Sequence, residues 1–385
     1  MVPTTAAPPG SRRLERVTFG AFLAFAAAVQ LSIAFATALL ALAALGWLGL
    51  LWRQRRLPSA PGFFLPLLAY AAWTLVSSAF SLDPAQSFLD SRQLLLLAVV
   101  PIACDVVPRS RATLVALVLI SVGAASAAVG IAQYSLLQFD TLDRRPQGTL
   151  SHYMTYAGTL MLVIGVAAAR VIFDPRHRAW PALVLPALAV ALVLTFTRNA
   201  WVGALAGVAL LLLLRDFRLI ALVPVVVAVV FGLAPERITT RMTSMFDLTD
   251  PSNQDRLAMT RTAAAIIADR PLTGVGPNMI PRVYAQYRDP SAVNESAPHL
   301  HNVPLQIAAE RGLPALAAWL WFVIAAAAGL MARWRCEPDR THLAAAFAAL
   351  AAMVSAGLFE HNFGDSEFLM LFLLILALPF TRDVA

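Results

Sequence analysis

Two arginines of this 385-residue sequence occupy positions suited to phosphate binding. Arg198 lies in the short polar break 195–201 between two apolar runs, and Arg256 falls on the apolar side of a predicted helix. A guanidinium held there needs an anionic partner, since an unpaired buried charge is costly, and its planar fork matches phosphate oxygens. Taken alone, each arginine could instead anchor at the interface, where arginine side chains reach lipid phosphate.

His301 is the candidate for proton transfer. It directly precedes a predicted helix start, with Asn302 as the N-cap and Pro304 in the first turn. The positive end of that helix attracts anions. Asn302, Gln306 and Glu310 follow at i, i+4 and i+8 and predict a polar stripe on a membrane helix, which indicates a functional surface. The alternative is a histidine that only caps or hydrogen-bonds at the interface.

Metal chemistry is a weaker interpretation. His299 and His301 are two residues apart, but no nearby cysteine and no HExxH helix completes a zinc set. The sequence therefore predicts no metal and no other cofactor. The turn 360–365 contains Glu360 and Asp365, which could support the site, although a solvated loop is the favoured interpretation.

The composition places these residues in a membrane protein. The chain is 59% hydrophobic and 13% charged, with a mean hydropathy of +0.71, whereas soluble domains carry about a quarter charged residues. Several apolar runs reach the roughly 20 residues that cross a bilayer as a helix. A soluble enzyme is excluded, and an all-α, polytopic integral membrane protein is predicted.

The apolar runs predict about twelve transmembrane helices in a single transmembrane domain over residues 1–385. Only Gln30 and Ser32 interrupt the first long run, which we divide into two spans. The one sizeable hydrophilic segment, 235–302, predicts a large loop with short helices, among them one that begins at Ser252 and ends near Asp269.

Charge sets the expected orientation. All 29 basic residues are arginines, the net charge is +7, and most arginines of the short connections fall on one side of the predicted membrane. The positive-inside rule then predicts cytoplasmic termini and an extracytoplasmic loop 235–302. Membrane topology accounts for the basic charge, so membrane lipids are expected partners and nucleic acid is not.

The motifs together resemble the O-antigen ligase and O-antigen polymerase superfamily of bacterial surface polysaccharide assembly. The resemblance rests on the Thr-x-x-Arg turn at 195–198, on Arg256 upstream of the segment 270–276, and on the His-Asn-x-x-Leu-x-x-x-x-Glu-x-Gly pattern at 301–312. It extends over most of the chain, but these motifs do not separate the ligases from the polymerases.

The resemblance implies a metal-independent membrane glycosyltransferase of the bacterial inner membrane, with its active site on the periplasmic face. The donor would be an undecaprenyl-diphosphate-linked glycan, and the acceptor a hydroxyl of lipid A–core or of another glycan. By the same resemblance, Arg198 and Arg256 would bind the diphosphate and His301 would be the general base, with Asn302, Gln306 and Glu310 in support.

Several functions stay open at this stage. An O-antigen ligase is the favoured function. Inversion at the anomeric carbon is expected, because the sequence shows no carboxylate pair that would form a covalent glycosyl intermediate. A polysaccharide polymerase or a protein O-oligosaccharyltransferase of the same superfamily is the alternative. A lipid-linked sugar flippase or transporter is more distant, because the ionisable residues of interest cluster at one surface rather than at mid-span.

Overall fold

A computed structural model describes residues 9–382, which form α-helices joined by turns and short 3-10 helices, with no β-strand in this range. The first eight helices are α1 (Pro9–Ala28), α2 (Ile33–Gln54), α3 (Phe64–Ala79), α4 (Pro84–Ser91), α5 (Val99–Val106), α6 (Ala112–Leu137), α7 (Tyr153–Phe173) and α8 (Ala179–Leu194). The others are α9 (Arg198–Arg215), α10 (Leu222–Leu233), α11 (Glu236–Thr243), α12 (Pro251–Asp269), α13 (Ile280–Tyr287), α14 (Val303–Cys336), α15 (Thr341–Gly357) and α16 (Ser366–Ala377).

Within residues 9–382, six segments are long and apolar enough to cross a membrane, and five more apolar helices are shorter. The long ones are Ile33–Gln54, Pro84–Val106, Arg109–Leu137, Tyr153–Phe173, Arg198–Arg215 and Val303–Cys336. The protein is therefore a multi-pass membrane protein, and the all-helical prediction is confirmed. The division of the first apolar run is also confirmed, since α1 ends at Ala28 and α2 begins at Ile33. The count of about twelve spans stays a prediction.

Helices α7, α15 and α16 form the centre of the bundle, and small residues let α9 pack closely on α15. A Cβ atom on Gly207 would lie 3.0 Å from the carbonyl oxygen of Ala348, so the two backbones almost touch. Such small-residue contacts replace the hydrophobic effect as the packing force between helices in lipid. This contact places the start of α9, which carries Arg198, beside the end of α15, which leads to Glu360.

Helix α14 is broken at Gly312, whose φ of 80° lies in the left-handed region. Pro314 has no N–H to donate within the helix, so nearby carbonyl groups need other donors. The amides of Val275 and Gly276 donate to the carbonyls of Ala309 (3.0 Å) and Glu310 (2.8 Å). The break thus fastens the segment before α13 to the membrane helix that begins after His301.

The hydrophilic segment between α10 and α14 contains helices α11, α12 and α13. Ser252 is the predicted N-cap of α12, which is wrong by two positions because Asp250 is the N-cap, whereas the end at Asp269 is confirmed. The domain limits and the extracytoplasmic location of residues 235–302 stay predictions.

The buried face of α12 is wider than its apolar residues alone would predict. Asp255 and Thr262 are buried, although helix periodicity puts both on the side opposite the apolar residues. Asp255 accepts hydrogen bonds from the amides of Val293 (2.8 Å) and Asn294 (3.0 Å), and the Thr262 hydroxyl accepts from the amide of Asp289 (3.1 Å). These side chains are buried because the loop after α13 presents its amide groups to them.

Candidate active site

Arg198, Arg256 and His301, which lie far apart in the sequence, line one cleft of about 460 Å³ at the end of the helix bundle. Two further arginines, Arg145 and Arg241, line the same cleft. The acidic residues of its wall are Asp250 and Asp255, and Asp255 already accepts a hydrogen bond from the amide of Val293. The cleft is therefore strongly positive and suited to an anionic ligand.

Arg198 is the first residue of α9 and is only 5% exposed. The tight turn before the helix depends on Phe196, whose φ of 54° is left-handed. Nη1 of Arg198 donates to the carbonyl (3.1 Å) and hydroxyl (3.0 Å) oxygens of Ser244, and Nη2 lies 3.4 Å from Oδ1 of Asp250. These contacts leave the guanidinium rigidly placed in the cleft wall.

Arg256 projects into the cleft from α12, one turn into the helix. Its guanidinium makes no hydrogen bond or ion pair within residues 9–382. Burial lowers the pKa of Arg256, the charge of Glu360 acts to raise it, and the charge of Arg198 lowers it further. Arg256 therefore lacks an anionic partner, and a bound phosphate group would be a suitable one.

Arg241, on α11, was not identified from the sequence. Its Nε atom is buried and has no hydrogen-bond partner in the described part of the chain. Burial, together with the charges of Arg198 and Arg145, lowers the pKa of Arg241 to about 10. The sequence places Arg237 and Arg241 one helical turn apart, but it does not show that Arg237 instead pairs with Asp140.

His301 has a left-handed backbone, with a φ of 49°, which costs a residue other than glycine about 1–3 kcal/mol. This conformation turns the chain between the loop and the start of α14. Nδ1 of His301 lies 2.9 Å from Oε2 of Glu360, and its ring packs against that of His299, with ring centroids 4.2 Å apart. The strained backbone thus holds the imidazole against a carboxylate.

Glu360 lies in the turn between α15 and α16 and is 6% exposed. Burial raises the pKa of Glu360, but the hydrogen bond from His301 and the histidine charge outweigh burial and lower the pKa to about 2. An ionised carboxylate only accepts hydrogen bonds, so the contact with Glu360 places a proton on Nδ1 of His301. In the imidazole tautomer that this contact selects, Nε2 is free to accept another proton. The favoured interpretation of this turn as a solvated loop is wrong.

A metal ion would fit one group of side chains in the described chain. One ligand atom from each of His299, His301 and Glu360 lies within 4.8 Å of the others, and imidazole with carboxylate is a common zinc donor set. Burial lowers the pKa of His299 to about 4, so this imidazole is neutral at physiological pH. The prediction of a metal-independent site remains a prediction.

The three residues expected to support the site do not line the cleft. Asn302 is the N-cap of α14, as predicted, and its Oδ1 accepts from the amide of Leu305 (2.9 Å). Gln306 is buried and accepts a hydrogen bond from the amide of Leu300 (2.7 Å). Glu310 is paired with Arg311 at 2.8 Å, deeper in the bundle. The polar stripe therefore fixes the loop and the helix start that position His301.

Part of the chain matches a known family. Residues 181–320 match the family model described as O-antigen ligase. The match includes Arg198, Arg241, Arg256 and His301, whereas Glu360 lies beyond it. A search of curated proteins gives no match. The family match confirms the resemblance predicted from the motifs.

Proposed function

We propose that this membrane protein, whose residues 181–320 match the O-antigen ligase family model, is a membrane glycosyltransferase of the ligase and polymerase type and, within that type, an O-antigen ligase. On this proposal it transfers a glycan from undecaprenyl diphosphate to a hydroxyl of lipid A–core. The reaction takes place on the periplasmic face of the bacterial inner membrane.

The observation that carries the proposal is one cleft lined by four arginines and His301. Departure of a lipid diphosphate leaves negative charge on its terminal oxygen. Arg198, Arg241 and Arg256 can stabilise that charge, the role that a magnesium ion has in many phosphate sites. Arg198 is held in place by Ser244 and Asp250, while Arg256 is free to bind the ligand.

His301 supplies the general base. The acceptor oxygen forms a bond to the anomeric carbon while the bond from that carbon to the phosphate oxygen breaks and its electron pair leaves with the diphosphate. The acceptor proton passes to Nε2 of His301, because Nδ1 is held by Glu360. The Glu360 carboxylate stabilises the imidazolium that forms. A single displacement inverts the anomeric configuration, which NMR of the product would show.

The proposed chemistry predicts activity that does not depend on a metal ion. The charge of the leaving group is met by guanidinium groups, so transfer should survive exhaustive EDTA treatment followed by desalting. Activity lost to EDTA and restored by added zinc would contradict this expectation. Such a result would indicate that His299, His301 and Glu360 bind a metal ion.

The decisive experiment compares wild-type protein with His301→Ala, purified in detergent and supplied with an undecaprenyl-diphosphate glycan. Two acceptors are offered separately, lipid A–core and a second lipid-linked glycan. We expect transfer to lipid A–core by the wild type and its loss in the variant. His177→Ala, an exposed histidine after α7, is the matched control and should retain activity.

The acceptor used decides among the related functions. Extension of the lipid-linked glycan would identify a polymerase, and transfer to an added protein acceptor would identify an O-oligosaccharyltransferase. Absence of transfer to all three acceptors would overturn the proposal and favour a flippase or a transporter of lipid-linked sugars.

A further inference from the structure

A second cavity, of about 230 Å³, adjoins the arginine cleft. It lies between the start of α7, the start of α9 and the turn that connects α15 to α16. Met154 and Asn199 line both spaces, so the two are neighbours. Glu360 lines the second cavity, whereas His301, its hydrogen-bond partner, lines the cleft. The pair therefore forms part of the boundary between them.

Two residues of the cavity lining, His361 and Asn362, each have a buried polar atom without a partner within residues 9–382. Nδ1 of His361 and Oδ1 of Asn362 are buried, and neither has a hydrogen-bond partner in the described chain. Buried polar groups in native proteins are almost always paired, and both residues belong to the lining of this cavity, so a polar ligand that shifts either side chain would supply the missing partner.

The other walls indicate the chemistry of that ligand. Asn199 and the hydrogen-bonded pair of Thr155 and Asp365 present polar groups, while Phe368 and Met161 present apolar surface. A sugar ring combines hydroxyl groups at its edge with C–H groups on its faces and matches such a lining. The volume is below the roughly 300 Å³ at which sites for drug-sized ligands begin, so it suits a single monosaccharide unit.

We propose that this second cavity binds the terminal monosaccharide of the acceptor glycan. The inference rests on the proposed function and adds the location of the acceptor. In a single displacement the nucleophile and the leaving group lie on opposite sides of the anomeric carbon. The arginines mark the side of the leaving group, and the His301–Glu360 pair marks the side of the nucleophile, where this cavity lies.

The test uses two variants of one residue. His361→Asn retains a polar group near the position of Nδ1, whereas His361→Gln moves it toward the position of Nε2. Loss of one neutral hydrogen bond weakens binding by about three- to tenfold. We expect His361→Gln to raise the KM for the acceptor by this factor, with kcat and donor affinity unchanged, and His361→Asn to stay near the wild type. Asn362→Leu should resemble His361→Gln.

A binding measurement separates this inference from the proposed function. Saturation-transfer NMR would follow the binding of a delipidated core oligosaccharide to the full-length protein without any donor. Oligosaccharide binding that weakens in His361→Gln supports the cavity assignment. Transfer by the wild type with unchanged acceptor binding in both His361→Gln and Asn362→Leu would overturn the assignment and leave the function intact. An equal loss of donor affinity would also overturn it, since the cavity would then hold the donor sugar.

Discussion

The pairing of His301 with Glu360 has a direct consequence for proton transfer. The carboxylate fixes which ring nitrogen carries the proton, and it remains ionised because its pKa is lowered to about 2. A base arranged in this way offers Nε2 to the substrate and gains stability once it is protonated. The same arrangement of carboxylate and imidazole orients the base in other acyl- and group-transfer enzymes.

Glu360→Gln should retain the hydrogen bond but remove the charge. We expect kcat to fall about 10- to 100-fold, less than the roughly 10²- to 10⁴-fold that a general base itself contributes, because the base remains, while donor KM changes little. A pH–rate profile measures this, and the loss should persist at every pH because the wild-type carboxylate is ionised throughout the range of activity. Glu295→Gln, an exposed residue at the same end of the molecule, is the control. Wild-type kcat in Glu360→Gln would contradict the assigned role.

Acid should destabilise the protein through His299. Burial lowers the pKa of His299 from about 6.5 to about 4, so between these values the unfolded chain binds a proton that the folded chain does not. The free energy of unfolding therefore falls as the pH drops from about 6.5 to 4. Lowered carboxyl pKa values, as at Glu360, act in the same direction at still lower pH. Thermal unfolding across this range should be less pH-dependent in His299→Asn than in the wild type, and equal slopes would refute the prediction.

The cleft arginines should respond differently to substitution. Arg256→Ala removes a guanidinium that has no partner within residues 9–382, so it should raise donor KM about 10- to 100-fold, the range for a hydrogen bond to a charged group, with little change in stability. Arg198→Ala also breaks contacts with Ser244 and Asp250 and should lower the free energy of unfolding by about 1–3 kcal/mol. Donor titrations and thermal unfolding measure both effects. Arg261→Ala, on the exposed side of α12, is the control; equal destabilisation by all three substitutions would be inconsistent with this account.

At the scale of elements, the break in α14 joins the site to the membrane bundle. Its first part, from Val303 to Arg311, carries the helix start next to His301, and the loop before α13 is hydrogen-bonded to the break itself. Any change in the geometry of the break would be transmitted to both the loop and the base.

Two glycines of α14 provide a test of this coupling. Gly312→Ala places a methyl group against the carbonyl oxygen of Leu272 at a positive φ, so it should destabilise the protein by more than about 1 kcal/mol and reduce transfer. Gly329→Ala meets only the ring of Phe380, at 3.7 Å, and should be neutral or slightly stabilising. Thermal unfolding in detergent compares them, and an unchanged melting temperature in Gly312→Ala would contradict the proposed strain.

Sequence patterns predicted some elements well. The Asn302 cap and the end of α12 at Asp269 follow from local residue types, because capping depends on a few neighbouring atoms. The burial of Asp255 was not predictable, since its partners are amides some forty residues later in the chain. Glu360 was missed as a buried site residue for the same reason, because helix α15 and the loop before α14 meet only in the fold.

At the scale of the whole molecule, the helices place the cleft at one end of the bundle and Cys336, at the far end of α14, at the other. Cys336 is exposed and Cys104 is buried. The predicted orientation puts the cleft outside and the end of α14 inside the cell. A membrane-impermeant maleimide should therefore label Cys336 only after permeabilisation.

Ser296→Cys is the matching reporter at the other end, because Ser296 is exposed in the loop before His299. It should be labelled in intact cells, or in spheroplasts where an outer membrane restricts access. Labelling of Cys336 in unpermeabilised cells, with protection of the residue 296 reporter, would reverse the predicted topology.

Composition and hydropathy established the all-helical membrane class, because lipid permits few other spanning structures. The predicted topology also placed Arg198, Arg256 and His301 on the same side of the membrane, and in the structure all three line one cleft. The number of spans was harder to predict from the sequence, since several apolar helices are shorter than a bilayer crossing requires and others are broken.

The concentration of arginines in the cleft bears on how the proposed reaction would end. After transfer, the lipid carrier keeps its diphosphate and gains a free terminal phosphate charge, so the same guanidinium groups should hold the spent carrier more firmly than the loaded one. Release of product, rather than glycosyl transfer, would then set the steady-state rate, and a first turnover would be faster than those that follow. Glycan output would in that case depend on how quickly other enzymes remove and recycle the carrier.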